Sequence, residues 1–123
     1  MEKNIVLIGF MGTGKTEVGI LLAKRLNMNF VDTDKLIEER EKDRIVRIFE
    51  VKGEEYFREI EEKIIEEVSN YKNCVIATGG GAVIREKNYN NLKKNGILIC
   101  LKATPEEIYK RTISKKDRPL LMK

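Results

Sequence analysis

The segment Gly9-Phe10-Met11-Gly12-Thr13-Gly14-Lys15-Thr16 constrains the fold more than any other feature of the chain. Its spacing of glycine, four residues, glycine, lysine and threonine lets the backbone curl so that successive N–H groups converge on phosphate oxygens. Such a loop works in one context: it follows a buried strand and opens a helix, whose positive end faces the same phosphates. Both flanks are present. Ile5-Val6-Leu7-Ile8 is an unbroken apolar run, as expected of a strand buried on both faces of a parallel sheet. From Thr16 to about Leu26, the residues Val18, Leu21, Leu22 and Leu26 recur at helical spacing and predict the core face of a helix. In that context Lys15 meets the β and γ phosphates of a nucleotide, and the Thr16 hydroxyl binds Mg²⁺. A plain glycine turn with a chance lysine would not need these flanks.

The alternation continues along the chain. Asn29-Phe30-Val31 reads as a second strand ending at Asp32-Thr33-Asp34, with a helix over about residues 35–42. A short helix from Ile45 breaks near Gly53. A long one over residues 54–69 carries Phe57, Ile60, Ile64 and Val68 on one face. Cys74-Val75-Ile76-Ala77 is a third strand closed by Gly79-Gly80-Gly81, residues 86–94 form a charged helix or turn, and residues 96–101 form a fourth strand. Thr104-Pro105-Glu106-Glu107 is a capping box opening a helix to about Ile113. Strands alternating with helices imply a parallel sheet with right-handed crossovers, and ligands then bind beyond the carboxyl ends of the strands. Those ends carry the glycine loop, Asp32 to Asp34, and the triglycine, which should converge on one edge.

Composition narrows the chemistry. The chain has 123 residues, enough for one domain. It contains no histidine, which excludes Ser-His and Cys-His catalysis, and it lacks the cysteine cluster of a zinc site. Cys74 and Cys100 sit in apolar runs and read as buried, reduced residues. The net charge of +4 could suggest nucleic acid, but Lys and Glu mix along the helices as on solvated faces, so a small anionic substrate is the expected partner. No apolar run is long enough to span a bilayer, and no leader pattern precedes the first strand, so the expected location is the cytoplasm.

Four further groups admit a functional and a bland reading. Asp32 and Asp34 are good N-caps, yet phosphoryl transfer needs a carboxylate near Mg²⁺ and often one near the attacking hydroxyl. No acidic residue ends the third strand, so Asp32 is the candidate for the metal side and Asp34 for the acceptor side. Arg58 lies four residues after Glu54 and three before Glu61, which suits a surface ion pair. Both carboxylates fall at the border of the apolar face, however, and could orient a guanidinium for bidentate capture of a substrate carboxylate. The triglycine is either a loop or a place where a ligand approaches the backbone. Arg111 and Arg118 bracket a basic stretch that, without context, is a solvated chain end.

Taken together these residues resemble the shikimate kinase family over residues 4–122. The glycine loop matches the family's even at its variable positions. Asp32-Thr33-Asp34 is similar to its acidic motif, and Ile48-Phe49-Glu50, Gly53-Glu54 and Phe57-Arg58 with Glu61 to its substrate-binding helices. Thr78-Gly79-Gly80-Gly81 is similar to its later glycine segment, and Arg118-Pro119-Leu120-Leu121 to its lid. The resemblance implies a three-layer α/β/α P-loop kinase fold, usually monomeric, with about four of the expected five strands present. It implies transfer of the ATP γ-phosphate to the 3-hydroxyl of shikimate, with Mg²⁺, in the route to aromatic amino acids. Gly12, Thr13, Gly14, Lys15, Thr16 and Glu17 would bind ATP, together with Arg111 against adenine and Arg118 over the phosphates. Asp34, Arg58, Gly79, Gly80 and Gly81 would bind the acceptor, Thr16 and Asp32 the metal. Lys15, Asp34 and Arg118 would carry the transfer, with residues 114–123 as a lid.

Two departures stand out. Asp43-Arg44 replaces the family's usual glycine-containing turn, with a local effect expected. The sequence also stops soon after the lid motif, where the family continues through a helix, a last strand, an adenine-contacting loop and a second arginine for the substrate. The expectation is therefore a kinase domain over residues 1–123 with its C-terminal part missing. A gluconate- or nucleotide-kinase relative, and a fragment that holds ATP without transferring phosphate, are the competing readings.

Overall fold

A computed structural model of the chain describes residues 3–9 and 14–101. Along them run β1 (Asn4–Gly9), α1 (Lys15–Leu26), β2 (Asn29–Asp32), α2 (Thr33–Glu41), α3 (Ile45–Lys52), α4 (Glu54–Ser69), β3 (Cys74–Ala77), a 3₁₀ turn (Ala82–Ile84), α5 (Glu86–Lys94) and β4 (Gly96–Leu101). The four strands form one parallel sheet in the order β2-β3-β1-β4. The helix expected after Thr104 and the stretch 114–123 lie outside the described residues.

Side-chain alternation along the strands divides the core in two. Val6 and Ile76 turn to one face, where Ile37, Ile48, Phe57, Ile64, Ile65, Val68 and Leu92 from α2 to α5 bury them. Ile5, Leu7 and Val75 turn to the other, beneath Ala23 and Leu22 of α1. Helices on both faces give the three layers expected, and they explain why the β1 run is apolar without alternation. No helix among the described residues is long and apolar enough to cross a membrane.

Three local expectations are corrected. Of the stripe Val18, Leu21, Leu22 and Leu26, only Leu22 packs on the core: Val18, Leu21 and Leu26 are 39, 52 and 48 % exposed, and the helix buries Gly19 and Ala23 instead. Small residues win because they let the helix axis close onto the sheet. A Cβ at Gly19 would stand only 2.4 Å from the Phe30 ring. Cys74 is buried as expected, but Cys100 is exposed, because β4 has β1 on one side and no strand on the other among the described residues. The helix after the second strand starts at Thr33 rather than near Lys35, since Asp32 Oδ1 accepts from the Lys35 N–H at 3.2 Å and caps α2.

At the turn after α2, Lys42 takes the left-handed conformation (φ 54°) and Asp43 Oδ1 accepts from the Arg44 N–H at 2.9 Å. The turn closes without glycine, and the departure there stays local.

Candidate active site

The parallel sheet brings the ends of β1, β2 and β3 to one edge, and each end delivers a different chemistry. After β1, Gly14 adopts φ 78° and caps α1, the helix that Lys15 and Thr16 open. Lys15 Nζ donates to the Gly9 carbonyl at 2.6 Å, tying the helix start back to the strand end. Burial lowers the Lys15 pKa, while Asp34, Asp32 and Cys100 nearby oppose that shift. Thr16 Oγ1 donates to Asp32 Oδ2 at 3.2 Å. Glu17 is exposed, with its carboxylate beside Gly14. Gly12 and Thr13 fall outside the described residues, as do Arg111 and Arg118.

Asp32 caps α2 with one carboxylate oxygen and accepts from Thr16 with the other. The hydroxyl and the carboxylate are hard oxygen donors, and they fit a Mg²⁺ ion that keeps several waters. Asp34 occupies the first turn of α2. Its pKa is raised to about 6, chiefly by burial, then by the negative charges of Asp32, Glu61 and Glu38, against the lowering effect of Lys15. A cavity of about 180 Å³ joins Lys15, Thr16, Asp32 and Asp34 to the backbone of residues 78–80. The absence of an acid at the end of β3 is explained by what stands there. The buried Thr78 hydroxyl donates to the Leu7 carbonyl at 3.1 Å and locks the triglycine to β1.

Arg58 makes both ion pairs that its spacing suggests, and it is half-buried in them. Its Nη1 donates to Glu61 Oε1 at 2.8 Å, its Nε lies 3.6 Å from Glu54 Oε2, and its side chain is only 22 % exposed. The guanidinium stands 5.2 Å from the Phe57 ring and 6.0 Å from the Phe49 ring, which pack on each other at 4.7 Å. Burial raises the Glu61 pKa, with the hydrogen bond and charge of Arg58 working against it. An arginine held on an aromatic floor by a buried carboxylate has a fixed fork, ready to accept a planar anion. A second cavity of about 450 Å³ opens beside Arg58 and Gly81.

Sequence reasoning missed two supports of this region. Phe49 was visible as part of a motif, but its stacking under Arg58 needs α3 folded back on α4. Arg85 bonds Glu55 at 2.9 Å and Glu62 at 3.2 Å, clamping the segment after the triglycine to α4, and no spacing rule links those positions. A further cleft of about 400 Å³ between α1 and α2 shares only Thr16 and Asp32 with the site.

The family model described as shikimate kinase matches residues 11–123. A shikimate kinase of Caldanaerobacter subterraneus is 54 % identical over 119 residues, which are 97 % of this chain and 70 % of that protein. Among solved structures, a shikimate kinase from Acinetobacter baumannii in complex with shikimate superposes with a TM-score of 0.85 at 42 % identity, covering 98 % of this chain and 67 % of the other. A gluconokinase from Sinorhizobium meliloti superposes with a TM-score of 0.65 at 17 % identity, covering 98 % and 71 %, and shares the fold alone.

Proposed function

Because the chain belongs to the shikimate kinase family, we propose that it is a single kinase domain transferring the γ-phosphate of ATP to the 3-hydroxyl of shikimate. The observation that carries the reading is the flanking of one loop by two opposite groups. Gly79 packs against the Asp34 carboxylate and Gly81 against the Arg58 guanidinium. A small hydroxy acid lying across the loop would meet a carboxylate at its hydroxyl end and a guanidinium at its acid end.

Each residue then has a task. Lys15 brings positive charge to the phosphates at the start of α1. Thr16 and Asp32 would hold Mg²⁺, which when bound neutralises phosphate charge. Asp34, with its pKa near 6, accepts a hydrogen bond and then the proton of the acceptor hydroxyl near neutral pH. Arg58 holds the acceptor carboxylate, and Gly80 offers its backbone between the two. Arg111 against adenine and Arg118 over the phosphates complete the reading on family resemblance alone, as does the lid at residues 114–123. The partners are the small molecules ATP and shikimate, and the protein acts as a cytoplasmic monomer.

The test is an ADP-release assay with shikimate offered beside gluconate and nucleoside monophosphates. Release that depends on shikimate is expected. Release driven by another acceptor, or ATP binding with no release at all, overturns the reading.

A further inference from the structure

Gly79, Gly80 and Gly81 are adjacent, but they do not meet the same surroundings. A Cβ built on Gly79 would lie 2.5 Å and 2.9 Å from the two carboxylate oxygens of Asp34. Built on Gly81, it would lie 2.9 Å and 3.1 Å from the Nη2 and Nη1 atoms of Arg58. Built on Gly80, it would meet nothing within 4 Å. None of the three has a positive φ, in contrast to Gly9, Gly14 and Gly53. Their backbone conformations are therefore open to alanine, and what excludes alanine at the outer two positions is the functional side chain across the gap.

We propose that Gly79 and Gly81 are positioning residues, each leaving the space in which one acceptor-binding side chain sits: Asp34 against Gly79 and Arg58 against Gly81. The inference rests on the assignment of those two side chains to the acceptor. It turns on which partner gives way when a methyl group is added. The loop is anchored at both ends: Thr78 bonds the Leu7 carbonyl through its N–H (3.2 Å) and its hydroxyl (3.1 Å), and the Gly79 and Gly81 carbonyls accept from the Ala82 and Ile84 N–H groups, each at 3.2 Å. Asp34 and Arg58 meet the glycines with the far ends of their side chains, which give way by rotating at the expense of the contacts that hold them. A methyl at position 79 thus turns the carboxylate out of its place beside Lys15 and Thr16. A methyl at position 81 pushes the guanidinium off the Phe57 face or away from Glu61. The fold stays and the site is displaced, the reverse of what a glycine needed for the backbone would give.

The experiment is a pair of double-mutant cycles, Gly81→Ala with Arg58→Ala and Gly79→Ala with Asp34→Ala, read by calorimetric titration of ATP and of shikimate and by thermal melting. Each glycine variant alone should weaken shikimate binding at least tenfold and leave the ATP dissociation constant within twofold, with the melting temperature held. In the Arg58→Ala background Gly81→Ala should cost less than twofold further, and likewise Gly79→Ala in the Asp34→Ala background. An equal loss in both backgrounds, or a melting temperature that collapses with the glycine change whether or not the facing side chain is present, overturns the proposal. Failure of the parent assignment looks different: Arg58→Ala or Asp34→Ala alone would leave shikimate binding unchanged. Crystal structures of the two glycine variants would then still decide it: Asp34 and Arg58 displaced from the places they hold against Gly79 and Gly81 supports the proposal, and unmoved side chains overturn it.

Discussion

Lys15 and Asp34 face each other, and burial dominates both pKa shifts: it lowers the lysine and raises the acid. For Asp34 the consequence for stability has a definite sign. Its pKa is about 6 in the folded chain against 3.8 for the unperturbed group, so between these values the folded state keeps a proton that the unfolded state has lost. Stability therefore falls as pH rises through that window, by on the order of 2–3 kcal/mol once pH 6 is passed. Asp34→Asn should stabilise the ligand-free chain at pH 8 and lose that gain below about pH 4, as urea unfolding across pH would read; a gain independent of pH refutes the buried carboxylate. Lys15→Met should weaken ATP binding and abolish transfer, since the phosphate charge goes unneutralised, and equal ATP affinity by calorimetry would count against the phosphate loop. Arg58→Lys keeps the charge but loses the fork. Shikimate affinity should fall by about 1.5–3 kcal/mol with ATP binding held, and an unchanged affinity returns Arg58 to its ion pairs with Glu54 and Glu61.

Among the elements, α4 and β3 emerged at the limits that periodicity and flanking glycine suggested, because local pattern and tertiary role agree there. In α1 they disagree. Hydrophobicity pointed to Val18, Leu21 and Leu26, whereas the sheet is met by Gly19 and Ala23, because closeness of approach outweighs the size of the side chain. The sign of one substitution separates these accounts. On an open helix face Gly→Ala stabilises by about 1 kcal/mol. At Gly19 the added methyl meets Phe30 and Leu7, and Gly19→Ala should instead destabilise by about 1–3 kcal/mol through overpacking. Chemical denaturation measures it, and a stabilised variant would show that α1 is not seated on the sheet through Gly19.

Across the whole molecule, the two faces of the sheet are unequally covered. Ile97 and Ile99 pair in register with Ile5 and Leu7 and so share their face, yet they are 45 and 39 % exposed. On that same side α1 leaves Val18 and Leu21 exposed, and β4 has no further strand beside it among the described residues. Among the described residues an apolar face and a sheet edge thus stand without a covering element, and left so they are costly in stability and promote association. The chain spans 70 % of the length of its Caldanaerobacter relative, so that relative carries a segment outside the matched residues. We predict that appending this segment from that relative raises the melting temperature, lowers binding of a hydrophobic dye and increases turnover. A 123-residue chain that already melts cooperatively, binds no dye and turns over as fast would show that the face needs no such cover.

By itself the sequence determined the order of strands and helices, the parallel sheet, and the edge at which the glycine loop, the aspartates and the triglycine meet. These follow from short-range rules: apolar runs, helical spacing, caps and turns act over a few residues and can be read along the chain. Tertiary structure alone decided that Asp32 both caps α2 and faces Thr16, that Asp34 is buried enough for its pKa to rise to about 6, and that Arg58 rests on Phe49 and Phe57. It also decided that Gly79 and Gly81 are spaces for Asp34 and Arg58. Those facts depend on contacts between residues far apart in sequence, where packing distance rather than periodicity selects the side chain, and no local pattern encodes a distance between elements.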